Sequence, residues 1–336
     1  MTNPSPHEPT DQLPLPEREP TREGVLRADA KIGQLLPETP LVELDLPAGG
    51  SVLCKVESLQ PVGAFKIRGA WHRLSDLSER ERARGVIAVS SGNHAQGVAW
   101  AAARLGIAAT IVMPSNAPEV KLAATRALGA DIVLYDRMRE SRDAIARDLC
   151  NERGAVLVHA YGDPWVIEGQ GTAGIEITLQ MAARGLGSPT RIVCPCGGGG
   201  LASGLALACP DAQVVPVEPE GWDDVTRSLA AGGILTLGSA PPPTTCDALQ
   251  TPYTFPVNFA VMSAHGMVGV TVSEAEVRRA QRLAFARLRL VIEPGGAAAL
   301  AAILAGKVPH DHGTVVVLSG GNVDPAAFAQ VLVGSD

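Results

Sequence analysis

Several features that would assign this 336-residue chain to a membrane, to nucleic acid or to the secretory route are missing from its sequence. Apolar runs such as Thr314-Val-Val-Val-Leu318 are strand-sized, well short of the ~20 residues that a membrane-spanning helix needs. Basic runs are absent too. The 28 Lys and Arg are dispersed among 35 Asp and Glu, for a net charge of −7, so neither nucleic acid nor an anionic membrane surface is offered a basic face. Paired C-x-x-C spacing is absent. The six cysteines, Cys54, Cys150, Cys194, Cys196, Cys209 and Cys246, are scattered in apolar surroundings, as buried small hydrophobes rather than zinc ligands would be. The N-terminus, Met1-Thr-Asn-Pro-Ser-Pro6, has neither a basic n-region nor an apolar h-region, so no secretory signal is visible. Aromatics are few, at 4%, yet 46% of the residues are hydrophobic, which excludes a wholly disordered chain. The expectation is a soluble cytoplasmic protein without nucleic-acid or membrane partners.

What is present alternates between strand and helix. Residues 1–22 hold six prolines and read as a disordered or loosely draped arm. Beyond them, 85–90, 108–113, 131–136, 155–160, 191–196, 213–218 and 314–319 read as strands of continuous rather than alternating hydrophobicity. Such strands are buried on both faces of a parallel sheet. Helices are predicted over 62–74, 95–104 and 118–128, and over 274–288, which opens with the capping box Ser273-x-x-Glu276. His310-Asp-His312 lies in a polar loop and reads as a solvated turn. The fold class is α/β, with two doubly wound open sheets, because so many βα units exceed one compact sheet.

Three features carry chemistry. Ser90, Ser91, Gly92, Asn93 and His94 join a strand to a helix, where outward N–H groups favour an anion; by itself the segment reads equally well as a plain helix cap. Gly197, Gly198, Gly199 and Gly200, followed by Leu201, let the backbone approach a ligand and wrap N–H groups around a phosphate. Gly197-x-Gly199-x-x-Ala202 with Glu218 also matches a dinucleotide fingerprint, so an NAD-binding oxidoreductase competes at this point. Lys66, between Phe65 and Ile67, is pressed among apolar neighbours. A lysine so placed loses basicity and becomes a usable amine for a Schiff base. An amine, a phosphate cradle and a polar loop together describe a site for pyridoxal phosphate.

Five motifs in order then resemble one family: Leu59 to Ala70, Ser90 to Gln96, Gly169-Gln-Gly-Thr172, Gly197 to Gly200 and Leu318 to Val323. The chain resembles the threonine/serine dehydratases and serine racemases, fold type II pyridoxal phosphate enzymes of the tryptophan synthase β-like kind. The five together decide against the nicotinamide reading. The resemblance implies that Lys66 forms the Schiff base, Phe65 packs near the ring and Asn93 hydrogen-bonds the ring hydroxyl. It implies that Gly197–Gly200 and the Leu201 N–H hold the phosphate, and that Ser319 faces the pyridine nitrogen. Ser90–His94 would bind the substrate carboxylate, and Ser91 is the hydroxyl that serves racemases as a second base. Glu218, the Trp222 carbonyl and Asp224 match the segment that binds Mg²⁺ or Ca²⁺ in racemases.

The implied activity is an ammonia-lyase acting on L-threonine, L-serine or 3-hydroxyaspartate, with a racemase as the alternative and a homodimer as the assembly. The implied organisation is a large cofactor-binding domain, residues 23–84 plus 183–336, with a small domain at 85–182. Two positions depart from the common pattern. Ala64 stands where many relatives have Ser, and Cys246-Asp-Ala-Leu-Gln250 replaces the commoner Ala-Asp-Gly, which reshapes the side-chain pocket and brings in 3-hydroxyaspartate. With about a dozen residues beyond Asp324, a C-terminal regulatory domain is not expected.

Overall fold

The computed structural model describes residues 13–117, 119–137, 139–238 and 240–334. Its strands are β1 (Leu41–Asp45), β2 (Ser51–Val56), β3 (Val86–Val89), β4 (Ala109–Pro114), β5 (Asp131–Tyr135), β6 (Val156–Leu157), β7 (Arg191–Pro195), β8 (Gln213–Pro219), β9 (Val270–Val272) and β10 (Thr314–Leu318). Helices α1 to α7 are Arg22–Ile32, Lys66–Ser75, Glu79–Arg84, Asn93–Leu105, Glu119–Ala127, Arg142–Arg153 and Pro164–Ala183. Helices α8 to α13 are Gly200–Ala208, Asp224–Ala231, Pro256–Ala264, Glu274–Leu288, Pro294–Leu304 and Pro325–Val333.

The strands form two sheets, one of six strands in the order β1-β2-β10-β7-β8-β9 and one of four in the order β5-β4-β3-β6. Every pairing is parallel except the β1–β2 hairpin. Helices clothe both faces of each sheet, which is why the strands are apolar throughout rather than on alternate residues. On the six-stranded sheet, α12 and α11 bury Val193, Val316 and Leu300 on one side. On the other side, α8, α7 and α1 bury Ile192, Val315 and Leu205. The four-stranded sheet packs Ala88 and Ile111 against α4 and α2, and Ile87 and Val112 against α6. This is the expected doubly wound α/β architecture.

Two predicted elements are corrected. Helix α2 begins at Lys66, not at Val62. Ahead of it Gly63 has φ +72°, Ala64 bridges Gly320, and Phe65 N–H donates to Ser319 O at 3.1 Å, so a pairing 254 residues away in sequence holds this stretch as a turn. Strand β6 stops after Leu157 because the backbone beyond Val158 bonds to side chains instead of to a neighbouring strand.

Of the predicted N-terminal arm, residues 1–12 lie outside the described residues. In the remainder, Leu13 and Leu15 pack on the α6 side of the four-stranded sheet. Arg18 pairs with the buried Glu168 of α7 and stacks 4.0 Å over the Trp165 ring. Helix α7 runs to Ala183 and packs on α8, α1 and α2.

Lys66 is held in place from behind. Two residues on, the fully buried Arg68 makes bidentate contacts with Glu57 at 2.7 and 2.8 Å and with Glu176 of α7 at 2.7 and 2.8 Å. Opposed planar charges of this kind fix geometry as well as neutralise each other. The next residue, Gly69, crosses α7 at Gly169, where a Cβ would lie 2.5 Å from the Gly69 Cα. The Gly169-Gln-Gly-Thr172 motif is thereby a close helix crossing. All six cysteines are free and buried. Asp311 of the His-Asp-His segment accepts from Thr190 and Gly313, as a turn residue does. Among the described residues no helix is long and apolar enough to cross a membrane.

Candidate active site

One cavity collects most of the residues singled out from the sequence. Phe65, Lys66, Ser90–His94, Gly197–Leu201 and Ser319 all line it. They arrive from the N-terminus of α2, from the β3–α4 and β7–α8 junctions, and from the end of β10, the carboxyl ends of parallel strands where such folds bind ligands.

Lys66 Nζ donates to Ala160 O at 2.6 Å and lies 5.1 Å from the Phe65 ring centroid. Burial without a carboxylate partner lowers its pKa to about 8, so the free amine is within reach near neutrality. The glycine loop turns into α8 through Gly199, at φ +91°, a backbone conformation that a side chain resists. The N–H groups of the first α8 turn have no carbonyl within their own helix. Gly198 has no room for a side chain, since a Cβ there would lie 2.2 Å from the Tyr161 ring.

In the polar loop, Ser90 Oγ accepts from Gly92 N at 3.1 Å. His94 Nε2 donates to Val158 O at 2.8 Å; burial and the nearby Lys66 lower its pKa to about 3, so the ring is neutral. Asn93 Nδ2 donates to Glu293 Oε1 at 2.6 Å, while Asn93 Oδ1 accepts from Asn322 at 2.8 Å. Glu293, at the N-terminus of α12, is raised to about 7 by burial.

Glu293 and Asn322 were not singled out from the sequence, nor were His159, Tyr161, Lys121 and Arg142, although all but Asn322 line the cavity. The available signal for Glu293 was an acid just before Pro294-Gly-Gly, where a helix N-terminus begins.

The cation residues lie apart from this cavity. Glu218, at the end of β8, accepts from Val225 N at 3.0 Å, Thr226 N at 2.7 Å and Thr226 Oγ1 at 2.6 Å, and so caps α9. Asp224 is fully buried and neither carboxylate oxygen has a partner. Burial, then the charge of Glu218, raises Asp224 to about 8. Trp222 Nε1 donates to Pro242 O at 2.7 Å. Among the described residues, no three His, Cys, Asp or Glu side chains converge as a metal cluster.

The sequence profile described as "Pyridoxal-phosphate dependent enzyme" matches residues 32–320. The chain belongs to this family. It is 39% identical over 318 residues to an L-threo-3-hydroxyaspartate ammonia-lyase of Pseudomonas sp., covering 92% of this chain and 98% of the relative. It is 35% identical over 332 residues to a serine racemase of Schizosaccharomyces pombe, covering 96% and 99%. Among solved structures, a T.th. threonine deaminase superposes with a TM-score of 0.82 at 41% identity, covering 91% of this chain and 99% of that one. Maize serine racemase gives 0.85 at 32% identity, covering 93% and 97%.

As a pyridoxal-phosphate dependent enzyme of fold type II, the chain must offer an amine for the aldehyde and a cradle for the phosphate. The residues present fit that group. Lys66 is a buried amine of lowered basicity, and the cavity beside it is lined by Gly197–Gly200, with no room for a side chain at Gly198.

Proposed function

We propose that the chain is an ammonia-lyase that takes a β-hydroxy-α-amino acid to a 2-oxo acid and ammonia. The observation that carries the reading is the buried Lys66 amine in one cavity with the glycine loop and the Ser90–His94 loop. Pyridoxal phosphate, when bound, supplies an electron sink for the pair left at the substrate Cα. The Lys66 amine would hold the cofactor's aldehyde, and the same amine would serve as the base for the substrate α-proton. N–H groups of Gly197–Leu201 would hold the phosphate, and Phe65 and Asn93 would help to hold the ring. Ser90–His94 hold the substrate carboxylate. Ser319 would offer the ring a hydroxyl in place of a carboxylate, which would leave the ring a milder electron sink. Closure of residues 85–182 over 23–84 plus 183–336 would exclude water.

L-threo-3-hydroxyaspartate is the substrate we favour, because Arg142 lines the cavity and a second carboxylate suits a guanidinium. Turnover of L-serine, L-threonine and L-threo-3-hydroxyaspartate by purified, cofactor-loaded protein tests this. Arg142→Met should lower kcat/KM for the dicarboxylate at least about tenfold more than for L-serine, the loss of one charge-assisted hydrogen bond. Equal losses reject the preference, and loss of nothing in Lys66→Ala rejects the enzyme. Racemisation is the second reading, since Ser91 lines the same cavity; following product chirality beside 2-oxo acid separates the two.

A hard divalent cation, Mg²⁺ or Ca²⁺, is proposed between Glu218, the Trp222 carbonyl and Asp224, supported by the two partnerless oxygens of Asp224. A homodimer, to be checked by sedimentation, and a cytoplasmic location, supported by six free cysteines, complete the proposal.

A further inference from the structure

Three carbonyls of the segment after β6 are spent on side chains of the surrounding site. Val158 O takes the His94 N–H, Ala160 O takes the Lys66 ammonium and Tyr161 O takes the Asn258 amide at 3.0 Å. The His159 side chain on it has a donor to spare. His159 Nδ1 accepts from Gly162 N at 2.9 Å and from Tyr161 N at 3.4 Å. A ring nitrogen that accepts carries no hydrogen, so the neutral imidazole keeps its hydrogen on Nε2. The ring is wedged edge-on between Tyr161 and Phe255, with both centroids 4.6 Å away, which fixes its plane.

His159 lines the cavity with Lys66 and Ser91. The other ring donors there are committed: His94 donates to Val158 O, and Tyr161 Oη donates to Tyr253 O at 3.2 Å. Burial, with His94, Arg142 and Lys66 nearby, holds the His159 pKa well below its ordinary value. The ring is therefore a hydrogen-bond donor at working pH and not a source of protons.

We propose that His159 is a catalytic residue whose Nε2–H holds the β-oxygen of the substrate while the Cβ–O bond breaks. This rests on the ammonia-lyase reading. As the bond breaks, its pair stays on oxygen, the Cα–H pair becomes the Cα=Cβ bond, and the α-proton taken by Lys66 leaves with that oxygen as water. His159 neither gains nor loses a proton. Its contribution is a donor preorganised toward charge that develops on the leaving group.

The test compares a hydroxyl leaving group with chloride, which departs without a donor. Cofactor-loaded wild type, His159→Asn and His159→Gln are assayed with β-chloro-L-alanine and with whichever of L-serine or L-threo-3-hydroxyaspartate the wild type turns over. Asn keeps an oxygen near the Nδ1 position for the two backbone N–H groups but loses the Nε2 donor. Gln keeps a donor near Nε2. His159→Asn should lower kcat on the hydroxy acid about 100-fold, the usual cost of one such donor, and that on β-chloro-L-alanine less than about threefold. His159→Gln should recover about tenfold of the loss. Equal falls on the two substrates, or no fall on either, would overturn the proposal while the ammonia-lyase reading stands. A wild type that eliminates from neither overturns both.

Discussion

Holding an ammonium at Lys66 should destabilise the cofactor-free protein, and the size of the effect follows from its surroundings. The lysine is lowered from an ordinary 10.5 to about 8 by burial. Each pH unit is worth about 1.4 kcal/mol, so the charged form costs roughly 3 kcal/mol in the folded state. Lys66→Met removes that cost, but also the 2.6 Å bond to Ala160 O, worth about 1 kcal/mol. Below pH 8, where lysine is charged whether folded or not, the variant should therefore be more stable by about 2 kcal/mol. As pH rises from 8 to 10.5 the folded lysine deprotonates before the unfolded one, the wild type recovers, and the difference shrinks. Above 10.5 only the lost hydrogen bond remains and the order reverses, by about 1 kcal/mol. Urea unfolding of both cofactor-free proteins between pH 7 and pH 11 reads this directly. A stability difference that does not change with pH would refute the reasoning, because hydrogen-bond and packing losses do not titrate.

Gly169→Ala places a methyl against the Gly69 Cα and Arg68 O of α2, and should cost about 1–3 kcal/mol in urea unfolding while lowering kcat by moving Lys66. Arg18→Ala strips the cation from buried Glu168. Because Arg18 keeps 26% of its side-chain exposure, about 2 kcal/mol is expected rather than the 3–5 of a fully buried pair; an unchanged Tm would refute it. Asp224 keeps a proton when folded that it gives up when unfolded, so metal-free stability should fall as pH rises from 3.8 to about 8. Mg²⁺ should raise Tm in the wild type near pH 8 and leave that of Asp224→Asn unmoved.

The chemistry-bearing loops were legible because each is a local event, a run of glycine or small polar residues between an apolar strand and a helix. Lys66 was legible for a related reason, since an amine between Phe65 and Ile67 has few other uses. What stayed hidden depends on partners far away in sequence. The turn at Val62–Phe65 is set by Ser319 and Gly320, and the early end of β6 by side chains of α2 and α4. Glu293 and Asn322 escaped for the same reason, as each acquires meaning only through Asn93, some 200 residues before them. The arm looked featureless because its anchors, Glu168 and Trp165, lie on a helix about 150 residues on.

The place of β10 has a consequence for how the protein is made. It is the last strand among the described residues, yet it lies at the centre of the six-stranded sheet, between β2 and β7. The four-stranded sheet uses only residues from Val86 to Leu157 and can close while synthesis continues. The larger sheet cannot, because until Thr314–Leu318 emerge its β1–β2 hairpin and its β7–β9 portion have no strand to join them. Closing that gap brings together segments about 260 residues apart, the slowest kind of contact for a chain to find. The same arrival supplies the Ser319 carbonyl and the Gly320 bridge that hold the turn in front of Lys66. A nascent chain therefore acquires the turn that holds Lys66 only after Thr314–Gly320 have emerged.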